Sequence, residues 1–377
     1  MKLINPIYLD NASTTKVDER VLAEMLPYFT EIYGNASSNH DFGKQAKKAV
    51  EVSRKQVAEL INSNESEIIF TSGATEAINM ALKGYVDANY SKGNHLITLK
   101  TEHKAVLETC NYLEERGVEV TYLNVDKNGL ISLDELKSAI RPDTLLICVM
   151  YVNNETGVIQ PIREIGLLAK ENDITFFCDA TQAVGKITVD VDNDAIDMLS
   201  FSGHKLNGPK GIGALYKRKD IKLTPLMHGG GQENGLRAGT YNTPLIVGLG
   251  KACEIAKHEL DTNIDILKKN SSYLIQELKK IDGAVIIGNV NLRIPAIIDV
   301  MLPSLNSDIL ISKESDFALS SGSACTSQII ESSHVLKAME FSDNECNQTI
   351  RISINKETTE LHINELIKKL KAEIKSI

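Results

Sequence analysis

Three short segments carry side chains whose types and spacing suit chemistry. Ser202-Gly203-His204-Lys205 directly follows the apolar run Met198 to Phe201, and Gly208-Pro209-Lys210-Gly211-Ile212-Gly213 comes next. A lysine flanked by small residues at a strand end can reach into a cleft and form a Schiff base with a carbonyl compound, while Ser202 and His204 suit a phosphate. Alone, the segment also reads as a surface lysine in a glycine-rich turn. Asp179 closes another apolar run, in Phe177-Cys178-Asp179-Ala180-Thr181-Gln182. A carboxylate there can keep a pyridine nitrogen protonated, which makes pyridoxal phosphate an electron sink; the plainer reading is a helix N-cap. Thr71-Ser72-Gly73-Ala74-Thr75-Glu76 lies between a strand and a helix. Its small residues leave N–H groups and hydroxyls free for an anion, unless it is a simple capping box. No Gly-Lys-Ser/Thr follows, so it is not a Walker loop. Anion cradle, acid and lysine stand in that order on successive strand ends. With Thr101-Glu102-His103-Lys104 they make a pyridoxal-phosphate constellation.

The elements that must position these residues are legible from periodicity. Apolar runs at Ile68 to Phe70, Leu96 to Leu99, Val118 to Leu123, Leu145 to Val152, Ile174 to Cys178, Met198 to Phe201 and Ile212 to Tyr216 alternate with helical patterns such as Ala105 to Leu113 and Ile162 to Ala169. Strands apolar on both faces and separated by helices predict an α/β fold with a mainly parallel, seven-stranded sheet. Ligands bind such sheets at the strands' C-terminal ends, where the three segments stand. Near residue 256 the texture changes to a long helix marked by Leu260, Ile264, Leu267, Leu274, Leu278 and Ile281, then mixed strands at Ala296 to Met301 and Thr349 to Ile354. The reading is a large domain over 15–255 and a smaller α+β domain made of 1–14 and 256–377, in keeping with 377 residues.

Composition excludes several classes. Hydrophobic residues at 42% and charged residues at 24% are ordinary for a globular chain. A net charge of −9 is a poor basis for holding nucleic acid through its phosphates. The longest apolar run, Leu145 to Val152, is far below the roughly 18 residues of a membrane span. Cysteines at 110, 148, 178, 253, 325 and 346 include no closely spaced pair, so no metal site is expected and most read as reduced core residues in a cytoplasmic protein. Cys325 differs: Ser320-Ser321-Gly322-Ser323-Ala324-Cys325-Thr326-Ser327 has only small neighbours and no apolar pattern to bury a thiol.

Ser-Gly-His-Lys together with Ser-Ser-Gly-Ser-Ala-Cys-Thr-Ser resembles the cysteine desulfurases of the NifS/IscS group, class V of the aminotransferase-fold (fold type I) enzymes. The likeness runs from Tyr8-Leu9-Asp10-Asn11-Ala12-Ser13-Thr14-Thr15 to about Ile354. It implies bound pyridoxal 5'-phosphate, with Lys205 bonded to it, Asp179 at its ring nitrogen, Gln182 donating to its ring hydroxyl and His103 stacked on the ring and moving protons. Ala74, Thr75, Ser202 and His204 match the phosphate site. Thr240, in Arg237-Ala238-Gly239-Thr240, matches a phosphate ligand lent by a second subunit, so a homodimer is implied. Asn154 and Arg351 match the groups that hold the substrate, Arg351 through its carboxylate. Cys325 matches the nucleophile that takes sulfur from L-cysteine as a persulfide and passes it on, leaving L-alanine; small residues around it suit a loop that moves.

Three departures bear on these expectations. Asn35-Ala36-Ser37-Ser38 has Ala where the family usually has Pro, and Ile352 to Lys356 lacks the Gly-Arg pair that often follows the arginine. The chain ends at Ile377, without the longer tail that IscS-type members use to dock an iron–sulfur scaffold protein. The expected acceptor is therefore a cluster scaffold, a tRNA-thiolating enzyme or a DNA phosphorothioation system, with no direct contact to nucleic acid or membrane. Rival readings are a selenocysteine lyase or another class V pyridoxal enzyme, told apart by relative turnover of cysteine and selenocysteine, and a non-catalytic scaffold, which would have no use for Lys205, Asp179, His103 and Cys325 together.

Overall fold

All seven apolar runs enter one sheet in a computed structural model that describes residues 6–303, 305–313, 316–321 and 332–375. The strands are β1 (Ile68–Thr71), β2 (His95–Leu99), β3 (Glu119–Leu123), β4 (Thr144–Cys148), β5 (Thr175–Asp179), β6 (Met198–Ser202) and β7 (Gly213–Lys217). Their order across the sheet is β1-β7-β6-β5-β4-β2-β3. β7 runs antiparallel to both its neighbours, and the remaining pairs are parallel. Period-2 alternation sends neighbouring residues of one strand to opposite faces. Phe176, Ile147 and Leu199 pack into one core, and Phe177, Leu146 and Met198 into another. Both faces are covered, so the strands read as unbroken apolar runs.

The fourth run is shorter as a strand than its sequence suggests. The ladder stops at Cys148, although burial continues through Val152. Val149 and Tyr151 still donate to the carbonyls of Phe177 and Asp179. The N–H of Met150, between them, is taken instead by Glu102 Oε1 at 2.7 Å. A side chain three residues beyond β2 thus stands in for the strand that has ended there, and Met150, Val152 and Asn154 line the cavity at the strand ends.

Helices α1 (Glu19–Met25), α2 (Asp41–Leu60), α3 (Ala74–Asn89), α4 (Lys104–Glu114) and α5 (Ile162–Glu171) belong to this body. The long helix α6 covers Thr243–Leu278, 36 residues, and so begins well before the expected change near residue 256. Its first half buries Ile246, Val247 and Leu249 but interleaves them with Gly248 and Gly250, and at Gly250 α2 lies against it: a Cβ there would stand 2.6 Å from Ser53 Cα. The boundary expected at 255/256 falls inside this unbroken helix. Beyond it, β8 (Val285–Ile286), β9 (Ile297–Met301) and β10 (Thr349–Ser353) form an antiparallel sheet in the order β10-β9-β8, followed by α7 (Glu360–Lys375). Ile7–Tyr8 pairs in parallel with Phe317–Ala318, and Asp10 bridges to Ser353. The N-terminal segment is thereby laid beside β10, where Arg351 stands. No helix among the described residues is long and apolar enough to cross a membrane.

Candidate active site

The C-terminal ends of β1, β2, β5 and β6 open into a cavity of about 630 Å³. Ala74, Thr75, His103, Asn154, Asp179, Gln182, Ser202, His204, Lys205 and Arg351 all line it. Residues drawn from distant parts of the sequence are thus neighbours in space. Thr240 does not reach this cavity; it lines an adjacent one with Arg237 and Tyr241, sharing only Ser72 and Gly211 with the first. Its segment is clamped by Arg237 on Glu76 at 2.8 Å and by the two-pronged pair of Arg54 with Glu233, 2.7 Å on each prong. Cys325 lies outside the described residues. Ser320, near that segment, is bridged to Arg351.

The Thr71–Glu76 segment is not a capping box. Gly73 is the N-cap of α3 and supplies no side chain to cap the first-turn N–H groups, while Glu76 Oε2 accepts from Ser72 N at 2.6 Å. The first-turn N–H groups and the helix dipole are left for an anion at the cavity wall. β7 approaches this turn so closely that a Cβ on Gly213 would stand 2.7 Å from Gly73 Cα. His204 bonds Thr14 Oγ1 through Nδ1 at 3.1 Å. Burial, with the charges of Lys205, Lys210 and Lys186, pushes its pKa down to about 4, so the ring is neutral at pH 7.

Asp179 does not cap a helix either. Its Oδ1 accepts from Thr181 N at 3.0 Å and Thr181 Oγ1 at 2.5 Å, closing a tight turn and leaving the carboxylate buried at the cavity wall. Lys205 ends a single turn of helix after β6 and donates to the carbonyls of Ala12 at 2.5 Å and Ser13 at 2.7 Å. Burial and then the Arg351 guanidinium lower its amine to about 8, against the opposing pull of Asp10 and Asp179. His103 caps α4: its Nδ1 accepts from Ala105 N at 3.1 Å. Burial also lowers this imidazole, so the neutral ring carries its proton on Nε2.

Several residues of the site escaped the sequence reading. Arg351 donates to Asp10 Oδ1 at 2.8 Å, Ser13 Oγ at 2.6 Å and the Asn154 carbonyl at 2.9 Å. Asp10 and Ser13 stand in the quoted Tyr8–Thr15 segment, and a run of polar residues around buried Leu9 and Ala12 is the only signal they give. Behind Arg351, its cross-strand neighbour Asp299 is fully buried with neither carboxylate oxygen bonded. Burial raises that carboxyl well above the usual range, and it pushes Glu155, bonded by Ser333 Oγ, up to about 7. Cys110, Cys148, Cys178, Cys253 and Cys346 are all free and buried. Burial raises each of these thiols, so none of the five suits the role of a thiolate nucleophile.

The aminotransferase class-V family model matches residues 7–366. A cysteine desulfurase IscS of Neisseria meningitidis serogroup C (strain 053442) is 48% identical over 374 residues, covering 98% of this chain and 93% of the relative. Among solved structures, a NifS-like protein superposes with a TM-score of 0.92 at 38% identity, over 99% of this chain and 100% of its own. A structure of SspA in complex with cysteine gives 0.84 at 39% identity, over 94% of this chain and 100% of its own. The order of strands, the cavity at their ends and these likenesses agree, and the chain belongs to the class-V aminotransferase family.

Proposed function

We propose that this chain is a cysteine desulfurase that works with pyridoxal 5'-phosphate, takes the sulfur of L-cysteine onto Cys325 and releases L-alanine. The observation that carries the reading is the meeting of Lys205, Asp179 and the uncapped start of α3 in one cavity. That donor set fits the cofactor. The α3 turn with Thr75, Ser202 and His204 would hold its phosphate, Asp179 its ring nitrogen, Gln182 its ring hydroxyl and Lys205 its carbonyl carbon. When bound, the cofactor supplies a carbonyl for amines and an electron sink conjugated to it.

The chain's own groups then have distinct tasks. Arg351 holds the substrate carboxylate, which competes with Asp10 for the guanidinium; Asn154 stands beside it. Lys205, kept low in basicity, takes the Cα proton on Nζ. The Nε2–H of His103 donates to the attacking sulfur and so favours its thiolate form. Cys325, as thiolate, attacks the substrate sulfur: the substrate's C–S bond breaks, an S–S bond forms on Cys325, and the carbon left behind takes up a proton. Burial of the other five cysteines supports giving this task to Cys325, and the relative solved with cysteine supports the substrate.

In this reading residues 15–255 hold the cofactor, while 1–14 and 256–377 carry the cysteine segment and the arginine. The persulfide passes to a protein acceptor in the cytoplasm, either a cluster scaffold, a tRNA-thiolating enzyme or a DNA phosphorothioation partner. Thr240 completes the phosphate site of a second copy, so the active form is a homodimer. The test is a visible spectrum of the purified chain, followed by alanine and sulfide assays with L-cysteine and a thiol reductant. Wild type is expected to be yellow and to make both products in equal amounts. Cys325→Ala is expected to stay yellow and to lose both; undiminished release from that variant would overturn the nucleophile assignment.

A further inference from the structure

Lys186 has no role in the reaction as described, yet its amine is tied into the site. Its Nζ donates to Gln182 Oε1 at 2.6 Å. The other end of that amide, Nε2, donates to the Ala12 carbonyl at 2.9 Å, and Lys205 Nζ donates to the same carbonyl at 2.5 Å. Lys186 and Lys205 both line a second, smaller cavity of about 90 Å³, with Asn11, Glu259 and Asn355. Gln182 lies on the boundary, buried, with the large cavity on its other side.

An amide has a donor end and an acceptor end of nearly equal shape, and only its partners decide which way it points. A lysine amine offers donors, so Oε1 must face Lys186 and the N–H groups must face Ala12 and the large cavity. We propose that Lys186 is a positioning residue that locks the Gln182 amide so that it presents a donor, never an acceptor, to the ring oxygen of the bound cofactor. The inference rests on the reading that this cavity takes pyridoxal phosphate. Burial and the charges of Lys205 and Arg351 bring the Lys186 amine down to about 7. Both its charged and neutral forms keep an N–H for Oε1, so the orientation outlasts titration. A residue present only to fill space would be replaced without loss by an unbranched apolar side chain.

The experiment therefore uses Lys186→Met, which keeps the length of the stem and removes the donor. Two quantities are read: the dissociation constant of pyridoxal 5'-phosphate, by titration into cofactor-free protein, and the position of the visible band. Losing one oriented hydrogen bond is expected to weaken binding about tenfold and to shift the band. Gln182→Leu is expected to do the same, and the double variant to be no worse than Gln182→Leu alone, because the two residues act as one unit. Additive losses, or a Lys186→Met protein with wild-type affinity and band, would overturn the proposal. If Lys186→Met does not fold, Lys186→Arg, which keeps a donor, decides: a wild-type band supports the lock, and the Gln182→Leu band refutes it. A wild type that binds no cofactor would instead sink the function proposed for the cavity.

Discussion

A lysine amine attacks a carbonyl only in its neutral form, so what surrounds Lys205 matters as much as where it stands. Burial and Arg351 bring its pKa to about 8. At pH 7.5 about a quarter of such amines are neutral, against about one in a thousand for an unperturbed lysine near 10.4. In cofactor-free protein, a limiting dose of an acylating reagent at pH 7.5 is expected to modify Lys205 roughly a hundred times faster than surface lysines. That advantage holds below pH 8 and shrinks as pH rises towards 10, where ordinary amines lose their protons too. Arg351→Leu removes a lowering charge and is expected to slow the labelling. Mass spectrometry of the peptides reads both; uniform labelling would contradict the assigned environment. The identities of Lys205, Asp179 and His103 were legible in the sequence because polar groups are unusual directly after buried strands. Their partners were not. Asp10 on Arg351 joins residues 341 positions apart, and Asp299, without a bond, is written with the same letter as any surface aspartate.

Elements were legible where apolar residues run unbroken and harder to read where glycines interrupt them. Each of the seven strands announced itself through apolar residues, and only the end of the fourth was misjudged, because beyond Cys148 a side chain, Glu102, replaces the neighbouring strand while burial continues. The early half of α6 has an apolar run too, Leu245 to Leu249, but Gly248 and Gly250 interrupt it and read as breaks in a helix. Gly250 meets Ser53 of α2, and Gly248 meets Met25 of α1, so the glycines let neighbouring helices approach closely. Replacing a helical glycine by alanine normally adds up to about 1 kcal/mol of stability. At Gly250 the new methyl would lie 2.6 Å from Ser53 Cα and Cβ, and backbone cannot swing aside. Overpacking of that kind costs roughly 1–3 kcal/mol, so the net effect of Gly250→Ala is expected to be destabilising. Urea unfolding reads it directly; a raised midpoint would mean that α2 and α6 part more easily than their contact implies. Because α6 continues unbroken from the large sheet to the small one, loosening it is also expected to raise KM for cysteine by shifting the Arg351 side relative to Lys205.

At the scale of the whole molecule, the cavity lacks one residue that the family likeness assigns to it. Thr240 opens onto the neighbouring cavity instead, which is the arrangement expected if each chain lends it to another. The surface has a matching feature. Along α1 and the turn that follows, Val21 and Met25 point into the core while Leu22, Leu26 and Phe29, four and three residues apart, remain exposed. Nearby, Tyr33 and Phe42 are also exposed and their rings pack together at 5.6 Å. Large apolar side chains left exposed at these positions are costly to keep in water and suit an interface. A second copy seated there would also account for Thr240, as proposed above. Sedimentation of the wild type is therefore expected to give twice the chain mass. Leu26→Glu with Phe29→Glu puts four charges where two copies would meet and is expected to yield monomers. Those monomers should bind pyridoxal 5'-phosphate more weakly, by about tenfold or more for the loss of a hydrogen bond to its charged phosphate. Thr240→Val in an intact dimer should weaken binding similarly without changing the mass. If the double variant is monomeric and binds the cofactor as tightly as wild type, the two copies do not share their sites and Thr240 serves neither.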